Sequence, residues 1–360
     1  MKKKIKDCFS LRRVGSRLLT AGVTVALLAG VLVTGCSKKP EKPGEIKIGV
    51  VVYDDYDTFV GQLIDVFMEE LSKRRDEGRK ITVERRGSGG SQITQNQQVD
   101  ELIKAGCDVI CVNLVDRTDP AMIIEAARAA DVPVIFFNRE LVNQDLYSWD
   151  RLYYVGADAY DSGIIEGKIA ADAIAADPSM DKNDDGRISL VVLEGEPGHQ
   201  DAIIRSEYSV STIIDSGIEV DKLESGIANW KRSEAQSRMG QMIDKYGDDI
   251  ELVLANNDDM ALGAVDEYDA REVPFSKRPA IVGIDGTKEG LDAVGNGSLL
   301  GTVYNDKEGQ GKAMLVLAMA VADGHDIVGD LDQYADLMDG KYIRFPYARV
   351  TRDNVADYMK

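Results

Sequence analysis

A loop near the middle of the chain carries oxygen-bearing side chains at the spacing of a calcium site. Asp181, Asn183 and Asp185 stand at positions one, three and five of this loop, and Gly186 follows at position six. Calcium-binding loops place their oxygen ligands at these positions, and the glycine permits the sharp turn between them. The first half of the loop therefore predicts a bound Ca²⁺.

The second half of the loop departs from the EF-hand pattern. At position seven Arg187 would contribute its backbone carbonyl. At position nine Ser189 would bind the ion directly or through a water molecule. Position twelve, where a bidentate glutamate is expected, is Val192, and the following residues look like a strand rather than a helix. The missing carboxylate must come from elsewhere, and Glu251, at the start of a later apolar run, is the candidate. The alternative interpretation is a solvated acidic turn without a metal.

The loop after the next apolar run, EGEPGHQDAIIR, carries a second group of polar side chains. His199, Asp201 and Arg205 fall around the start of a predicted helix. An imidazole, a carboxylate and a guanidinium together suit a ligand with many hydroxyl groups, and loops at the carboxyl ends of strands are where open α/β sheets bind ligands. The same residues could instead form a helix N-cap and a surface ion pair.

Asparagine and aspartate follow the ends of several other short apolar runs. One such residue alone is usually a turn residue or a helix cap. Many at equivalent places favour a cleft that faces a hydroxyl-rich ligand, because buried amides and carboxylates need partners. Phe59 and Trp230 would offer flat apolar faces to a sugar ring, although core packing is the usual role of a lone tryptophan. The polar residues are Asp57, Asn113, Asn138, Asn257, Asp258, Asp285 and Asn305.

The elements that must position these side chains alternate between apolar strands and amphipathic helices. Residues 46–53 and 132–137 are β-branched and apolar, whereas residues 61–75 place Leu63, Phe67 and Leu71 on one helical face. Strands that are apolar on both faces indicate a parallel sheet covered by helices. Because the same rhythm begins again after residue 160, the sequence predicts an α/β protein with two doubly wound parallel-sheet lobes.

The N-terminal segment predicts export and lipidation. Residues 1–35 combine a basic region with an apolar stretch that is short for a spanning helix, and they end in small residues before Cys36. This order is typical of a bacterial lipoprotein signal peptide, so Cys36 would carry the lipid. Residues 36–45 would then form a tether to the outer face of the cytoplasmic membrane. An ordinary secretory signal or a membrane anchor is the alternative.

Composition and missing motifs exclude several function classes. Without residues 1–35 the net charge changes from −19 to −25, and so acidic a protein repels nucleic acid. Cys107 and Cys111 would be about 13 Å apart in one strand, too far to bridge, and they read as core thiols. The chain has no nucleophile elbow, zinc-protease motif or phosphate-binding loop. We therefore expect a binding protein and not an enzyme.

These segments together resemble the galactose/glucose-binding branch of the type I periplasmic binding proteins. The resemblance covers nearly all of residues 46–360. It rests on IGVVVYDDYDTF, CVNLVD, PVIFFNRE, DKNDDGRIS, LEGEPGHQDA, IELVLANNDDMALGAV, VGIDG and GTVYNDKEGQGKA. Three segments depart from the family pattern: Asp55 could replace Asp57, Ser189 stands in place of a longer amide, and Arg139 follows Asn138 where lysine is familiar.

The resemblance implies a division of the chain and a set of site residues. One lobe would comprise residues 46–156 and 309–343, and the other residues 157–308 and 344–360, with a three-stranded hinge between them. The sugar-contacting residues would be Asp57, Phe59, Asn138, His199, Asp201, Arg205, Trp230, Asn257, Asp285 and Asn305. The ligands of a structural Ca²⁺ would be Asp181, Asn183, Asp185, Arg187, Ser189 and Glu251.

The resemblance also implies a function. A monomeric, lipid-anchored protein would capture D-galactose or D-glucose between its lobes and deliver it to an ABC permease without breaking any bond. Two alternatives stay open. One is a sensor that presents the bound sugar to a chemoreceptor or a histidine kinase, and the other is a secreted glycoside-processing enzyme.

Overall fold

The computed structural model describes residues 44–324, 337–338 and 340–359. The predicted signal peptide, the predicted lipidation site Cys36 and most of the predicted tether lie outside these residues. The strands are β1 (Ile46–Val52), β2 (Ile81–Gly87), β3 (Val109–Val112), β4 (Val134–Phe137), β5 (Leu152–Ala157), β6 (Ile188–Glu194), β7 (Val220–Ile227), β8 (Leu252–Ala255), β9 (Ala280–Asp285), β10 (Gly301–Tyr304), β11 (Leu337–Met338), β12 (Tyr342–Phe345) and β13 (Ala348–Thr351).

Helices connect most of these strands. They are α1 (Thr58–Asp76), α2 (Gln92–Lys104), α3 (Ala121–Ala130), α4 (Asn143–Leu146), α5 (Ala159–Ala176), α6 (Gln200–Asp215), α7 (Arg232–Tyr246), α8 (Asp258–Ala270), α9 (Lys288–Asn296) and α10 (Lys307–Asp323). Among the helices of the described residues, none combines the length and the apolar character needed to cross a bilayer.

The strands form two sheets, one in each lobe. The first has the order β11-β12-β5-β4-β3-β1-β2 and the second has the order β13-β10-β9-β8-β6-β7. Neighbouring strands are parallel except for the pairs β11–β12 and β10–β13. Every residue of β3, β4 and β8 is buried, as expected for strands covered by helices on both faces. The prediction of two doubly wound lobes is confirmed.

The chain crosses between the lobes three times, slightly away from the predicted boundaries. Strand pairing continues to Phe345, which lies opposite Ala157 in the first sheet. Residues 307–308 belong to α10, which packs against α1 of the first lobe. Ala157, residues 307–308 and residues 344–345 therefore belong to the first lobe, whereas the sequence had placed them in the second. The difference arises because register and helix packing, rather than local composition, decide where each lobe ends.

The apolar residues of each lobe form a core on both faces of its sheet. In the first lobe Leu63, Phe67 and Leu71 of α1 are fully buried, as their spacing predicted. Cys107 and Cys111 are buried and free, which confirms them as core thiols. Burial raises the pKa of Cys107 to about 11, so the thiol stays protonated at neutral pH.

Helix caps bring several polar residues to the gap between the lobes. The Asp57 carboxylate accepts a hydrogen bond from the backbone N–H of Val60 at 2.8 Å, and α1 begins at Thr58 rather than at the predicted Gly61. Asn257 caps α8 by accepting from the N–H of Met260 at 2.9 Å. Capping fixes these side chains at the carboxyl ends of their strands, where both lobes face the gap.

Candidate functional site

Nine of the ten predicted ligand-binding residues line one small cavity between the lobes. Its volume is about 30 Å³, which is space for one or two water molecules. Residues from both sheets and from both sides of the gap contribute to it. The lining residues are Asp57, Phe59, Asn138, Arg139, His199, Asp201, Arg205, Trp230, Asn257 and Asp285.

The first lobe presents a carboxylate, an amide and an aromatic face. The Asp57 carboxylate also accepts a hydrogen bond from the Tyr53 hydroxyl at 2.7 Å, which fixes its orientation. Asn138 accepts from the Asn113 side-chain amide at 3.0 Å, and Phe59 is buried in the first turn of α1. Asp55, the alternative to Asp57, instead pairs with Arg85 at 3.1 Å on an exposed surface.

The second lobe holds a buried guanidinium at the base of the cavity. Arg205 donates to the carbonyl of Asn256 at 2.8 Å and to the Tyr347 hydroxyl at 3.0 Å. It also lies 3.6 Å from the carboxylate of Asp201 and 3.8 Å from that of Asp285. Because α6 carries both Asp201 and Arg205 one turn apart, the helix places the acid and the base on the same side of the cavity.

Burial sets the protonation states around this guanidinium. It lowers the pKa of His199 well below its ordinary value, and the nearby Arg139 and Arg205 lower it further. His199 is therefore neutral at pH 7; its Nδ1 accepts from the N–H of Asp201 at 3.1 Å, which leaves Nε2–H as a donor. Burial also raises the pKa of Asp201 and raises that of Asp285 well above its usual value, and Arg205 opposes both shifts.

Trp230 lies against a glycine and an imidazole. A Cβ atom added at Gly195 would be 2.2 Å from the indole, so only glycine leaves room for the ring. The His199 ring meets the indole edge to face at 5.1 Å between centroids. The indole N–H is buried and has no hydrogen-bond partner among the described residues, which leaves a donor for a ligand.

Replacing Gly195 with alanine should weaken sugar binding at least tenfold while the protein stays folded, because the new methyl group must displace Trp230. Calorimetry would measure the affinity and a thermal melt would check folding. Gly61→Ala is the matched control, since nothing lies within 4 Å of a Cβ at that helical position and its φ is ordinary. Equal affinities for the two variants would show that the Trp230 position does not depend on Gly195.

Three residues that line the cavity have positive φ angles. Asn138, Trp230 and Asp285 have φ angles of 60°, 66° and 119°, although none is glycine. Such conformations cost about 1–3 kcal/mol each and persist at positions where the surrounding structure holds them for a functional purpose.

Two residues differ from the predicted set. Arg139 lines the cavity, stacks on the Tyr53 ring at 3.4 Å, and pairs with Glu196 of the other lobe at 3.0 Å. The position of Arg139 directly after Asn138 indicated that it lies near the site. The sequence does not indicate where so long a side chain points. Asn305 is buried outside the cavity lining, where its carbonyl oxygen accepts from Gln310 at 2.5 Å.

Direct contacts join the two lobes beside the cavity. The Thr58 hydroxyl donates to Asp259 at 2.6 Å, and the Gln62 amide donates to Glu289 at 3.0 Å. Both bonds run from α1 of the first lobe to helices of the second lobe. Together with the small cavity they describe a closed arrangement, whose lobes must move apart to admit a ligand larger than one or two water molecules.

The loop at residues 181–189, for which the sequence predicts a Ca²⁺ site, is exposed from residue 182 to residue 187, and its carboxylates accept backbone hydrogen bonds. The Asp181 carboxylate accepts from the N–H of Gly186 at 2.8 Å. Glu251 is buried directly before β8 and accepts from the backbone N–H groups of Lys182 at 2.6 Å and Ser189 at 2.8 Å. Within the part of the chain that the structure describes, no three acidic, histidine or cysteine side chains are grouped closely enough to hold a metal. The donors match the oxygen chemistry of Ca²⁺, and Asp181, Asn183 and Asp185 keep the sequence spacing of a calcium loop.

The fold and the site together define a binding protein whose two lobes enclose a solute. The chain belongs to the periplasmic binding protein domain family, whose model matches residues 48–326. It is 34% identical over 315 residues to the D-galactose/methyl-galactoside binding periplasmic protein MglB of Haemophilus influenzae, covering 87% of this chain and 92% of the relative. The family-level resemblance predicted from the motifs is therefore confirmed.

Other relatives agree with this assignment. The xylitol-binding protein of Mycolicibacterium smegmatis is 28% identical, over 88% of this chain and 84% of the relative. An ABC transporter solute binding protein from Bacillus halodurans, solved with bound myo-inositol, superposes with a TM-score of 0.73 at 27% identity, covering 88% of this chain and 98% of that structure. The chain is accordingly an exported solute-binding protein and not an enzyme.

Proposed function

We propose that the protein captures a hexose, D-galactose or D-glucose, between its lobes and delivers it to an ABC permease. The observation that carries the proposal is the convergence of nine separately predicted polar and aromatic residues on one cavity. The cavity combines carboxylate and amide groups, which accept hydrogen bonds, with buried groups that donate them. Such a combination suits a neutral ring whose hydroxyl groups both donate and accept. The relative from Haemophilus influenzae that is named for D-galactose and methyl-galactoside supports the choice of sugar.

Binding would combine directional polar contacts with two aromatic faces. Asp57, Asn138 and Asp285 accept hydrogen bonds from ring hydroxyls, while Arg205 and the Nε2–H of His199 donate. The C–H faces of the ring lie against Phe59 and Trp230. Burial of these aromatic rings adds affinity and does not depend on hydrogen-bond geometry. Because the two lobes supply different groups, only the closed form makes the full set of contacts, so the ligand favours closure.

Calorimetry of the purified protein against a panel of hexoses and pentoses tests the proposal. We expect one sugar per chain, with galactose or glucose the tightest ligand. A pentose or polyol that binds at least tenfold more tightly, a difference of about 1.4 kcal/mol, would overturn the assignment of the hexose. Turnover of a glycoside at a catalytic rate would overturn binding without chemistry.

We also propose that Ca²⁺ binds the loop of Asp181, Asn183 and Asp185, with the carbonyl of Arg187, Ser189 and Glu251 completing the ligand set. The ion would stabilise the fold by tying the loop to the strand that follows Glu251. Its role would be structural, so the sugar site would keep its residues without it.

Calcium should therefore raise the melting temperature, and a chelator should reverse the shift. At 100 times its Kd the ion adds about 2.7 kcal/mol to the free energy of unfolding. Asp185→Asn should lose most of this gain, whereas Asp184→Asn, which removes the same charge at a position that does not ligate in such loops, should retain it. The loop would be a metal-free acidic turn if both variants and the native protein melted identically with and without Ca²⁺.

We further propose that Cys36 carries a lipid that holds the protein on the outer face of the cytoplasmic membrane. The small residues before Cys36 support this, as does the basic and apolar order of residues 1–35. Cys36→Ser should move the protein from the membrane fraction to the soluble fraction. Retention of the variant in the membrane fraction would indicate a different anchor.

A further inference from the structure

A second and much larger cavity adjoins the proposed sugar site. Its volume is about 580 Å³, and it shares Asp57 and Trp230 with the small cavity. Its walls come from both lobes: residues 53–57 lie on one side, and residues 229–236 with Asp259 and Asp266 lie on the other. A group attached to a sugar in the first cavity would therefore emerge past Asp57 and Trp230 into this space.

The lining of the second cavity favours a neutral polar group. Four carboxylates and two cations contribute to it, so its net charge repels phosphates and other anions. Arg232 is already committed, because it donates to both oxygens of Asp266 at 2.5 and 2.6 Å. An anionic substituent would thus find neither a free guanidinium nor a favourable field.

Tyr56 and Gln236, which both line this cavity, make no side-chain hydrogen bond with any described residue. Tyr56 exposes 86% of its surface there, although aromatic rings of soluble proteins usually find cover. Asn229 and Trp230 are consecutive residues with φ angles of 50° and 66°, a strained turn that aims this segment into the gap.

We propose that this cavity is a second subsite, which holds the neutral second residue of an O-linked glycoside whose terminal hexose fills the first. The inference rests on the proposed function and extends its substrate class from free hexoses to disaccharides. Tyr56 packs on the second ring from one lobe, and Gln236 bonds its hydroxyl groups from the other lobe. The glycoside thereby contacts both lobes and contributes to closure.

Calorimetry with free hexoses, methyl hexosides and disaccharides linked through carbons 1, 4 and 6 tests the subsite on the purified protein. At least one disaccharide should bind within tenfold of the best free hexose. Tyr56→Ala and Gln236→Ala should each weaken that disaccharide about tenfold while changing the free hexose less than twofold. Tyr147→Ala, an exposed tyrosine of the first lobe outside both cavities, is the matched control and should change neither affinity.

The outcomes separate this inference from the function on which it rests. If free hexoses bind and every disaccharide binds at least a hundredfold more weakly, the second cavity is not a subsite and the sugar site stands. Equal losses for hexose and disaccharide in Tyr56→Ala would likewise overturn the subsite. If no sugar of any size binds, both proposals fail together.

Discussion

Replacing Arg205 with alanine should abolish measurable sugar binding and lower the free energy of unfolding by about 3–5 kcal/mol. The guanidinium is buried, donates to the side chain of Ser162, the carbonyl of Asn256 and the hydroxyl of Tyr347, and lies 3.6 Å and 3.8 Å from the carboxylates of Asp201 and Asp285. Removing it leaves those carboxylates without a counter-charge and removes a donor from the cavity. Calorimetry should show an affinity loss of at least a hundredfold, about 2.7 kcal/mol.

Two further variants make this test specific. Arg205→Lys keeps the charge but cannot reproduce the forked donor geometry, so both effects should be intermediate. Arg151→Ala removes an exposed guanidinium that pairs with Asp131 at 2.8 Å, and it should cost no more than about 1 kcal/mol of stability and no affinity. An Arg205→Ala protein that binds sugar within threefold of the native affinity would remove this residue from the site.

In the absence of sugar, the ionisation of Asp258 should lower the free energy of unfolding as the pH rises from 4 to 7. Its carboxyl group is fully buried at the start of α8 and accepts hydrogen bonds from the hydroxyls of Thr302 and Thr287 at 2.6 and 3.1 Å. Burial raises its pKa from 3.8 to about 7. Because the folded state holds the proton more tightly than the unfolded state, the stabilisation is complete below the unfolded pKa and is lost as the pH passes the folded pKa.

The expected size of this loss is about 4 kcal/mol, since each pKa unit corresponds to about 1.4 kcal/mol. Asp258→Asn cannot ionise, so the difference in unfolding free energy between the native protein and this variant should change by that amount across the range. Denaturant titrations at fixed pH values measure it, and Asp292→Asn on the exposed face of α9 serves as the control. The lowered pKa of His199 has the opposite effect, because it lowers the free energy of unfolding as the pH falls below about 6.5. This contribution is the same in the native protein and in Asp258→Asn, so it cancels in the difference. Parallel stability curves for native protein and Asp258→Asn would contradict the prediction.

Most of the cavity lining was predictable from sequence, because parallel strands bring their carboxyl ends to one edge. Asn138 and Asn257 follow buried apolar strands and Asp285 ends one, so each lies at the edge of its sheet that faces the gap. Two other positions could not be read in this way. Arg139 has a long side chain whose direction depends on Tyr53 and Glu196, and Asn305 is turned aside by a bond to Gln310.

The limits of each element were less predictable than its type. The helix after β1 starts three residues early because Asp57 caps it, and this cap also places Phe59 in the first turn. The third crossing between the lobes comes after Phe345 because β12 extends its pairing with β5. Both differences arise from a helix cap and from strand pairing. The local periodicity of the sequence does not predict such interactions.

The segment of β12 and β13 has a consequence for how the chain matures. Strand β12 completes the sheet of one lobe by pairing with β5, and β13 completes the other by pairing with β10, although some 190 and 50 residues separate each pair. Neither sheet has all of its strands until residues 342–351 have been synthesised. Each lobe therefore completes its sheet through pairing of residues far apart in sequence, which is typical of slowly folding topologies.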